Sequence, residues 1–207
     1  DDIFNLSGSF AKLALLEQSR EAVPHGLSRM VTGEVEYIVT VVRSLFDLYQ
    51  EVLMKLWDSI ALFDPSVRRQ RLKSSFADML AFKGQPCSAA AISERFGLPV
   101  EIASCYERAR AIFDGIKRLR DNLIHHGSQL PHIYGGEGSF LISVGDNPFP
   151  DLAVWTEDEY RPNALVPLLP VLQTLVHRCF LVGVDFAGTS LSLIQFPPPI
   201  VPGMRFF

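Results

Sequence analysis

Cysteine is scarce in this chain, which has only three in 207 residues. Cys87, Cys105 and Cys179 are an odd number, and no two of them form a C-x-x-C pair. This pattern excludes the disulfide framework of small secreted domains and a cysteine-rich structural zinc site. The sequence therefore predicts reduced, mostly buried thiols in a cytoplasmic protein.

An excess of positive charge is also missing. The 19 Lys and Arg residues are outnumbered by 23 Asp and Glu, which gives a formal net charge of −4. The chain as a whole therefore does not attract phosphate backbones, and a nucleic-acid contact has to come from a local basic patch. The densest basic cluster is Arg68, Arg69, Arg71 and Lys73, in a helix predicted over residues 66–82. A solvated helix face explains this cluster better than a phosphate-binding patch does.

No segment is typical of a signal peptide or of a membrane-spanning helix. The most apolar stretch, residues 164–184, is interrupted by Pro167, Pro170, His177 and Arg178. We expect it to be a buried core helix in a protein that makes no membrane contact.

Motifs that bind cofactors are absent as well. The sequence has no phosphate-binding glycine loop, no G-x-S-x-G and no dinucleotide fingerprint. A metal site could be assembled from His125, His126 and His132 with Glu137 or Asp146 nearby. Adjacent histidines on a helix, however, point about 100° apart and rarely bind one ion together. We therefore predict neither a metal nor a cofactor.

Helical periodicity is the strongest positive signal. Apolar residues from Val35 to Ile60 alternate steps of three and four, which predicts a helix of about 30 residues. The other predicted helices are residues 9–22, 66–82, 88–96, 100 to about 126, and 163–186.

A small β element is expected among these helices. A β-hairpin is predicted at about 138–157, with strands 140–144 and 152–155 joined by residues 145–148, and a proline-rich irregular segment comes after it at 196–207. These elements favour one domain over residues 1–207, mainly α, built as an up-and-down helical bundle with a β-hairpin insertion.

The helix that begins at Val100 carries a polar flank near its end. Its predicted core stripe is Cys105, Ile112, Ile116, Leu119 and Leu123. At about 100° per residue, Arg120 lies beside this stripe and His125 lies about 140° beyond Arg120. The face between them contains Lys117, Asp121 and Ile124, and it points away from the core. A second subunit or a ligand is expected to cover it. The candidate dimer interface is the extended face of Arg110, Asp114, Lys117, Asp121 and Ile124.

The residues RDNLIH at 120–125 resemble the motif of the HEPN superfamily. Proteins of this family carry an Arg, a polar residue after it, and a His after four to six intervening residues near a helix end. Four residues separate Arg120 from His125, and His126 satisfies the looser spacing. The resemblance covers six or seven residues and implies a helical bundle that commonly dimerises.

Active members of the family are metal-independent endoribonucleases, found in bacterial toxin–antitoxin and phage-defence systems. The resemblance implies that His125 acts as general base or acid on a ribose 2′-hydroxyl and that Arg120 holds the phosphate. Asp121 or Asn122 would orient this pair, with His126 and Lys117 as accessory residues. It also implies RNA as substrate, 2′,3′-cyclic phosphate and 5′-hydroxyl products, a homodimer formed through the motif-helix face, and an antitoxin protein as partner.

Other interpretations of the same residues stay open. Many family members are inactive, so the chain could be a catalytically silent HEPN-like binding or scaffolding domain. Arg120 could pair with Asp114 or Asp121, and His125 could stabilise the helix end as a cation. Residues 88–110 also have the spacing of a helix-turn-helix, with Ser93 and Gly97 at the small-residue and turn positions, which is the pattern of a DNA-binding regulator. The acidic residues Glu101 and Glu107 in its second helix weigh against that function.

Overall fold

A computed structural model describes residues 2–21, 26–59, 61–62, 66, 68–125, 132–136, 138–146 and 154–195 of the chain. These residues are mainly helical with a small β component, as the sequence predicts. The helices are α1 (Asp2–Gln18), α2 (Leu27–Ser59), α3 (Phe76–Leu80), α4 (Ala89–Phe96), α5 (Val100–His125) and α6 (Leu168–Leu193). Short 3₁₀ turns occupy Val144–Asp146, Glu157–Glu159 and Pro162–Ala164.

The strands are short and form three small antiparallel sheets in the described residues. They are β1 (Ala61–Leu62), β2 (Ala81–Phe82), β3 (Gln85–Pro86), β4 (Tyr134–Gly136), β5 (Ser139–Ser143), β6 (Leu165–Pro167) and β7 (Ile194–Gln195). Strand β1 pairs with β7, β2 pairs with β3, and β5 lies between β4 and β6. The sheets therefore connect helices and do not form a core layer of their own.

Hydrophobic periodicity predicted α2, α4 and α5 closely. The predicted long helix is α2, which has 33 residues and begins at Leu27, eight residues before the periodic pattern that starts at Val35. Helices α4 and α5 start within a residue of the predicted positions. The first helix begins earlier than predicted and covers Asp2–Gln18. The last helix begins later than predicted, because Asn163 and Ala164 adopt positive φ and Leu165–Pro167 pair as β6.

The helix predicted over residues 66–82 was wrong. Residues 68–73 are not helical, and this segment is instead held by backbone contacts. The Gln70 amide donates to the Phe96 carbonyl at 2.9 Å, and the Gln70 carbonyl accepts from the Trp57 indole at 3.1 Å. A short helix begins only after Ser75, whose hydroxyl accepts from the Asp78 amide. It is succeeded by a two-residue hairpin turn, 83–84, in which both residues have positive φ.

The predicted β-hairpin is correct in its first strand and wrong in its partner. Strand β5 covers the predicted region, but it pairs with β4 before it and with β6 after it. Gly138, with a φ of 71°, lies in the turn between β4 and β5. Val154 and Trp155 are not in a strand, and the Trp155 indole donates to the Pro167 carbonyl at 2.9 Å. Residues 147–153 lie outside the described part, as does the proline-rich segment 196–207.

The contacts within the chain divide it into two compact units. Unit 1 comprises residues 1–46 and 111–181, and unit 2 comprises residues 47–110 and 182–207. Helices α2, α5 and α6 each supply residues to both units. The assignment of residues 1–207 to one domain stays a prediction.

The core of unit 1 is formed by buried aliphatic residues of α2, α5 and α6 with one aromatic pair. The Phe46 and Phe113 rings meet edge to face at 5.3 Å, and the Arg43 guanidinium lies 4.7 Å from the Phe113 ring centre. Cys179 is fully buried, and its thiol faces the Val42 carbonyl at 3.8 Å. Phe140, Leu141 and Ile142 of β5 are also buried, so the small sheet contributes to this core.

Unit 2 is built around an aromatic cluster and one buried amide. Phe76, Tyr106 and Phe186 contact one another at centroid distances of 4.8–6.0 Å. Gln50 is fully buried beside them. Its side chain accepts a 2.6 Å hydrogen bond from the Tyr106 hydroxyl and donates a 2.7 Å bond to the Lys73 carbonyl. Burial raises the pKa of Tyr106, so this hydroxyl stays protonated and remains a donor.

Helix α6 differs from the buried core helix that the sequence predicts. Among the described helices, it alone is long and apolar enough to cross a membrane. Only 33% of its most apolar 18-residue stretch is buried. Leu181, Val184 and Leu191 are each about half exposed or more. One side of α6 therefore belongs to the core, and the other presents aliphatic side chains at the surface.

Replacing the buried amide tests its contribution to unit 2. We expect Gln50→Ala to lower the free energy of unfolding by about 2–3 kcal/mol, because the Tyr106 hydroxyl and the Lys73 carbonyl both lose their partner inside the core. The exposed Gln173→Ala on α6 is the matched control and should change it by less than about 0.5 kcal/mol. Urea unfolding monitored by tryptophan fluorescence, to which Trp57 and Trp155 both contribute, measures both variants. Equal stability of the two variants would contradict a structural role for the amide.

Candidate functional site

Helix α5 positions the motif. It begins after a tight turn in which Gly97 caps α4 with a left-handed φ of 66°. A side chain at Gly97 has no room, because a Cβ there would lie 1.8 Å from the Arg68 carbonyl oxygen. The buried positions of α5 form one stripe along its length, and they are Ile102, Ala103, Cys105, Tyr106, Ala109, Phe113, Gly115, Ile116 and Leu119. Phe113 takes the place predicted for Ile112, which is only half buried.

Arg120 lies on the flank of this stripe, near the end of α5. Its side chain is 39% exposed, and its guanidinium forms a 3.2 Å ion pair with the carboxylate of Asp121, which is 38% exposed. Lys117 and Asp114 are exposed on the same helix. The polar flank therefore faces out of the core of unit 1, as helix geometry predicts.

The other predicted site residues fall partly outside the described residues. The backbones of Asn122 and His125 are part of α5, but their side chains lie outside the described part of the chain. The whole of His126 also lies outside it. Along an ideal helix, residues 120 and 125 are separated by about 7.5 Å of rise and about 140° of rotation. The prediction that Arg120 and His125 act together therefore still rests on helix geometry.

Arg110 does not belong to the open face of α5 on which the sequence analysis predicts a dimer interface. Its guanidinium donates to the Cys87 carbonyl in the loop before α4, within unit 2. A side chain held in this way stabilises its own subunit and is not available to a second one. The candidate interface is thereby reduced to Asp114, Lys117 and Asp121, with the Ile124 side chain outside the described residues.

The helix-turn-helix spacing of residues 88–110 is present, and its small residues have structural roles. The Ser88 hydroxyl accepts from the Ala91 amide at 3.3 Å and caps α4. The Ser93 hydroxyl donates to the Leu98 carbonyl at 2.7 Å and fastens the turn.

The second helix of this pair, α5, begins with acidic side chains, which an anionic groove would repel. Glu101 and Glu107 are exposed on the first turns of α5, and Arg108 is paired with Asp185 at 2.7 Å. In the nearby basic segment, Arg69 lies over the Trp57 ring at 5.3 Å and donates to the Trp57 carbonyl. A DNA-binding function is therefore not favoured.

The Cys105 thiol has polar neighbours. Its sulfur lies 3.3 Å from the Thr189 hydroxyl and 3.2 Å from the Arg108 guanidinium. Burial raises the pKa of the Cys105 thiol despite the neighbouring Arg108. A thiol of raised pKa is a poor nucleophile, so Cys105 is a packing residue. All three cysteines are free and buried, as the sequence predicts.

Neither metal ligands nor the cavity of unit 1 marks a second site among the described residues. Within the described residues, no group of three His, Cys, Asp or Glu side chains lies close enough to hold a metal ion. A cavity of about 160 Å³ in unit 1 is lined by α1, by residues around β5 and by the start of α6. Of the motif side chains that the structure describes, neither Arg120 nor Asp121 lines it.

Comparison of the chain with protein-family models, with curated proteins and with solved structures finds no match. The function is therefore inferred from the residues of the chain alone.

The exposure of the Arg120–Asp121 pair predicts that it contributes little to stability. We expect Arg120→Ala and Asp121→Asn each to change the free energy of unfolding by less than about 1 kcal/mol, because both side chains are more than a third exposed and water screens the pair. Arg118→Ala, an exposed arginine on the same helix, is the control. A loss of more than about 2 kcal/mol in urea unfolding would show that the pair is part of the core and not of an open site.

Proposed function

We propose that this chain is a HEPN-like, metal-independent endoribonuclease of the cytoplasm, acting through Arg120 and His125. The observation that carries the proposal is the position of Arg120. It lies partly exposed near the end of α5, outside the buried stripe, with Asp121 fixing the orientation of its guanidinium. An arginine in this position can exchange an exposed carboxylate for an RNA phosphate without opening the core.

The chemistry assigned to the two residues is an internal phosphoryl transfer. The imidazole of His125 takes the proton of a ribose 2′-hydroxyl, since histidine titrates near neutral pH. The 2′-oxygen bonds to the adjacent phosphorus, and the bond between phosphorus and the 5′-oxygen breaks. The 5′-oxygen takes up a proton from an imidazolium or from water. Arg120 stabilises the negative charge that develops on the phosphate oxygens, a task suited to its planar fork of donors.

The assembly proposed for this chemistry is a homodimer through the polar face of α5. A two-fold axis beside Lys117 and Asp121 would bring two copies of Arg120 and His125 into one cleft. Asn122, His126 and Lys117 would then supply further contacts to RNA. An antitoxin protein that covers this face would be the natural inhibitor.

RNA cleavage in the presence of EDTA tests the proposal. We expect the wild-type chain to cut labelled total RNA, and Arg120→Ala and His125→Ala each to reduce the rate by about a hundredfold or more, the contribution typical of a positioned acid–base or charge-stabilising group. Arg118→Ala on α5 and His177→Ala on α6 remove exposed residues of the same types and should leave the rate unchanged. Equal loss in the controls would contradict the assignment of the site.

The alternative function is a catalytically silent HEPN-like binding or scaffolding domain. It is favoured by the ion pair with Asp121, which already satisfies Arg120 in the absence of RNA. The two functions differ in their effect on a host cell. If the chain is a nuclease, its expression should slow the growth of the host cell. The His125→Ala variant should then restore growth while the melting temperature of the protein stays unchanged. A well-folded wild-type chain that neither cuts RNA nor slows growth would favour the binding domain.

A further inference from the structure

Unit 2 contains an apolar groove that has no part in the proposed nuclease site. Its volume is about 310 Å³, and it lies between the later turns of α2 and of α6. Both helices line it with residues at the i, i+3, i+4 and i+7 positions that share one helix face. The lining residues are Tyr49, Val52, Leu53 and Leu56 from α2, and Gly183, Phe186, Ala187, Ser190 and Leu191 from α6.

The groove is aromatic within and aliphatic at its rim. At Gly183 the two helices approach so closely that an added Cβ would lie 2.9 Å from the Tyr49 ring. Phe186 is buried. At the rim, Val52 is 48% exposed and Leu191 is 65% exposed. Aliphatic side chains exposed together around an apolar groove are typical of a surface that another segment covers.

The groove ends near β7, and the proline-rich segment, residues 196–207, follows β7 in the sequence. Strands β1 and β7 pair Ala61 with Gln195 and Leu62 with Ile194, which joins the ends of α2 and α6. The segment therefore begins five residues after Leu191, at the end of the groove where both helices stop. A segment that could cover the groove is therefore available in the same chain.

The composition of the proline-rich segment matches the groove. Among its twelve residues, FPPPIVPGMRFF, four are Pro, six are large and apolar, and Arg205 is the one charged residue. Segments rich in proline favour the extended polyproline conformation, which docks on grooves lined by aromatic side chains and loses little entropy on binding. Tyr49 and Phe186 supply such a lining.

We propose that the proline-rich segment folds back along α6 and occupies this groove in its own chain. Twelve residues in the polyproline conformation span about 37 Å. The groove runs from Leu191 to Gly183, which is about 12 Å along the helix. The segment can therefore reverse its direction and still cover the groove.

A second copy of the chain fits this groove less well. The groove is formed by two helices, each about 10 Å wide, over a length of about 12 Å. The surface that they offer to a partner is therefore on the order of 240 Å². A stable dimer needs about 800 Å² from each partner. The groove is large enough for a segment tethered beside it, because the tether supplies a high effective concentration.

Photo-crosslinking in the full chain tests the proposal. Benzoylphenylalanine replaces Phe196 in one variant and Phe206 in another, and crosslinks are mapped by mass spectrometry in a mixture of isotopically heavy and light chains. We expect crosslinks to residues 49–56 and 183–191 within one chain. The same probe at Phe82, which is 48% exposed in unit 2 and does not line the groove, is the control and should not label it. Crosslinks that join heavy to light chains, or that fall outside the groove, would overturn the proposal.

A matched pair of charge substitutions tests whether the apolar character of the groove holds the segment. Val52 lines the groove and is 48% exposed, whereas Leu48 is 46% exposed on the same helix but does not line it. We expect Val52→Glu to lower the yield of groove crosslinks about tenfold, because it places a carboxylate against an apolar segment. Leu48→Glu should leave the yield unchanged. Equal yields in both variants would contradict the proposal, and neither readout depends on nuclease activity.

Discussion

The buried stripe of α5 is the constraint on which the rest of the structure depends. This one helix supplies core residues to both compact units, including Tyr106 to unit 2 and Phe113 and Ile116 to unit 1. Because these side chains have to face inward, the rotation of α5 about its own axis is fixed. Arg120 and Asp121, near its end, can then lie only on the flank of the buried face. The exposure of the candidate site is therefore a consequence of packing elsewhere on the helix.

Local sequence patterns predict those parts of the fold in which one face of an element is buried. Helices α2, α4 and α5 can be predicted from apolar spacing and from the capping residues Ser88 and Gly97. The segment 68–73 was mispredicted because its structure depends on partners distant in sequence. Gln50 and Trp57 of α2 bind its carbonyl groups with their side chains, and this competes with helix formation. The short helix and the hairpin turn beyond this segment have local signals, namely the Ser75 cap and the Lys83–Gly84 pair.

The candidate site, too, could be predicted from local sequence patterns only in part. The outward position of Arg120 and its pairing with Asp121 result from a rotation of about 100° per residue and from neighbouring charges. The loss of Arg110 from the open face could not be predicted, because its partner is a backbone carbonyl at Cys87, 23 residues away. The β-hairpin was assigned the wrong partner for a related reason. Strand β5 is a short apolar run, Phe140, Leu141 and Ile142, and this pattern does not specify which edge it pairs with.

The most direct test of the central claim is to identify the ends of the RNA products. A short oligoribonucleotide of defined sequence is incubated with the purified wild-type chain in EDTA, beside a copy in which the ribose at the cleavage position carries no 2′-hydroxyl. We expect a 2′,3′-cyclic phosphate on one fragment and a 5′-hydroxyl on the other, with the modified copy left intact. Fragments that carry a 5′-phosphate, cleavage of the modified copy, or no cleavage of either RNA by folded protein would contradict the claim.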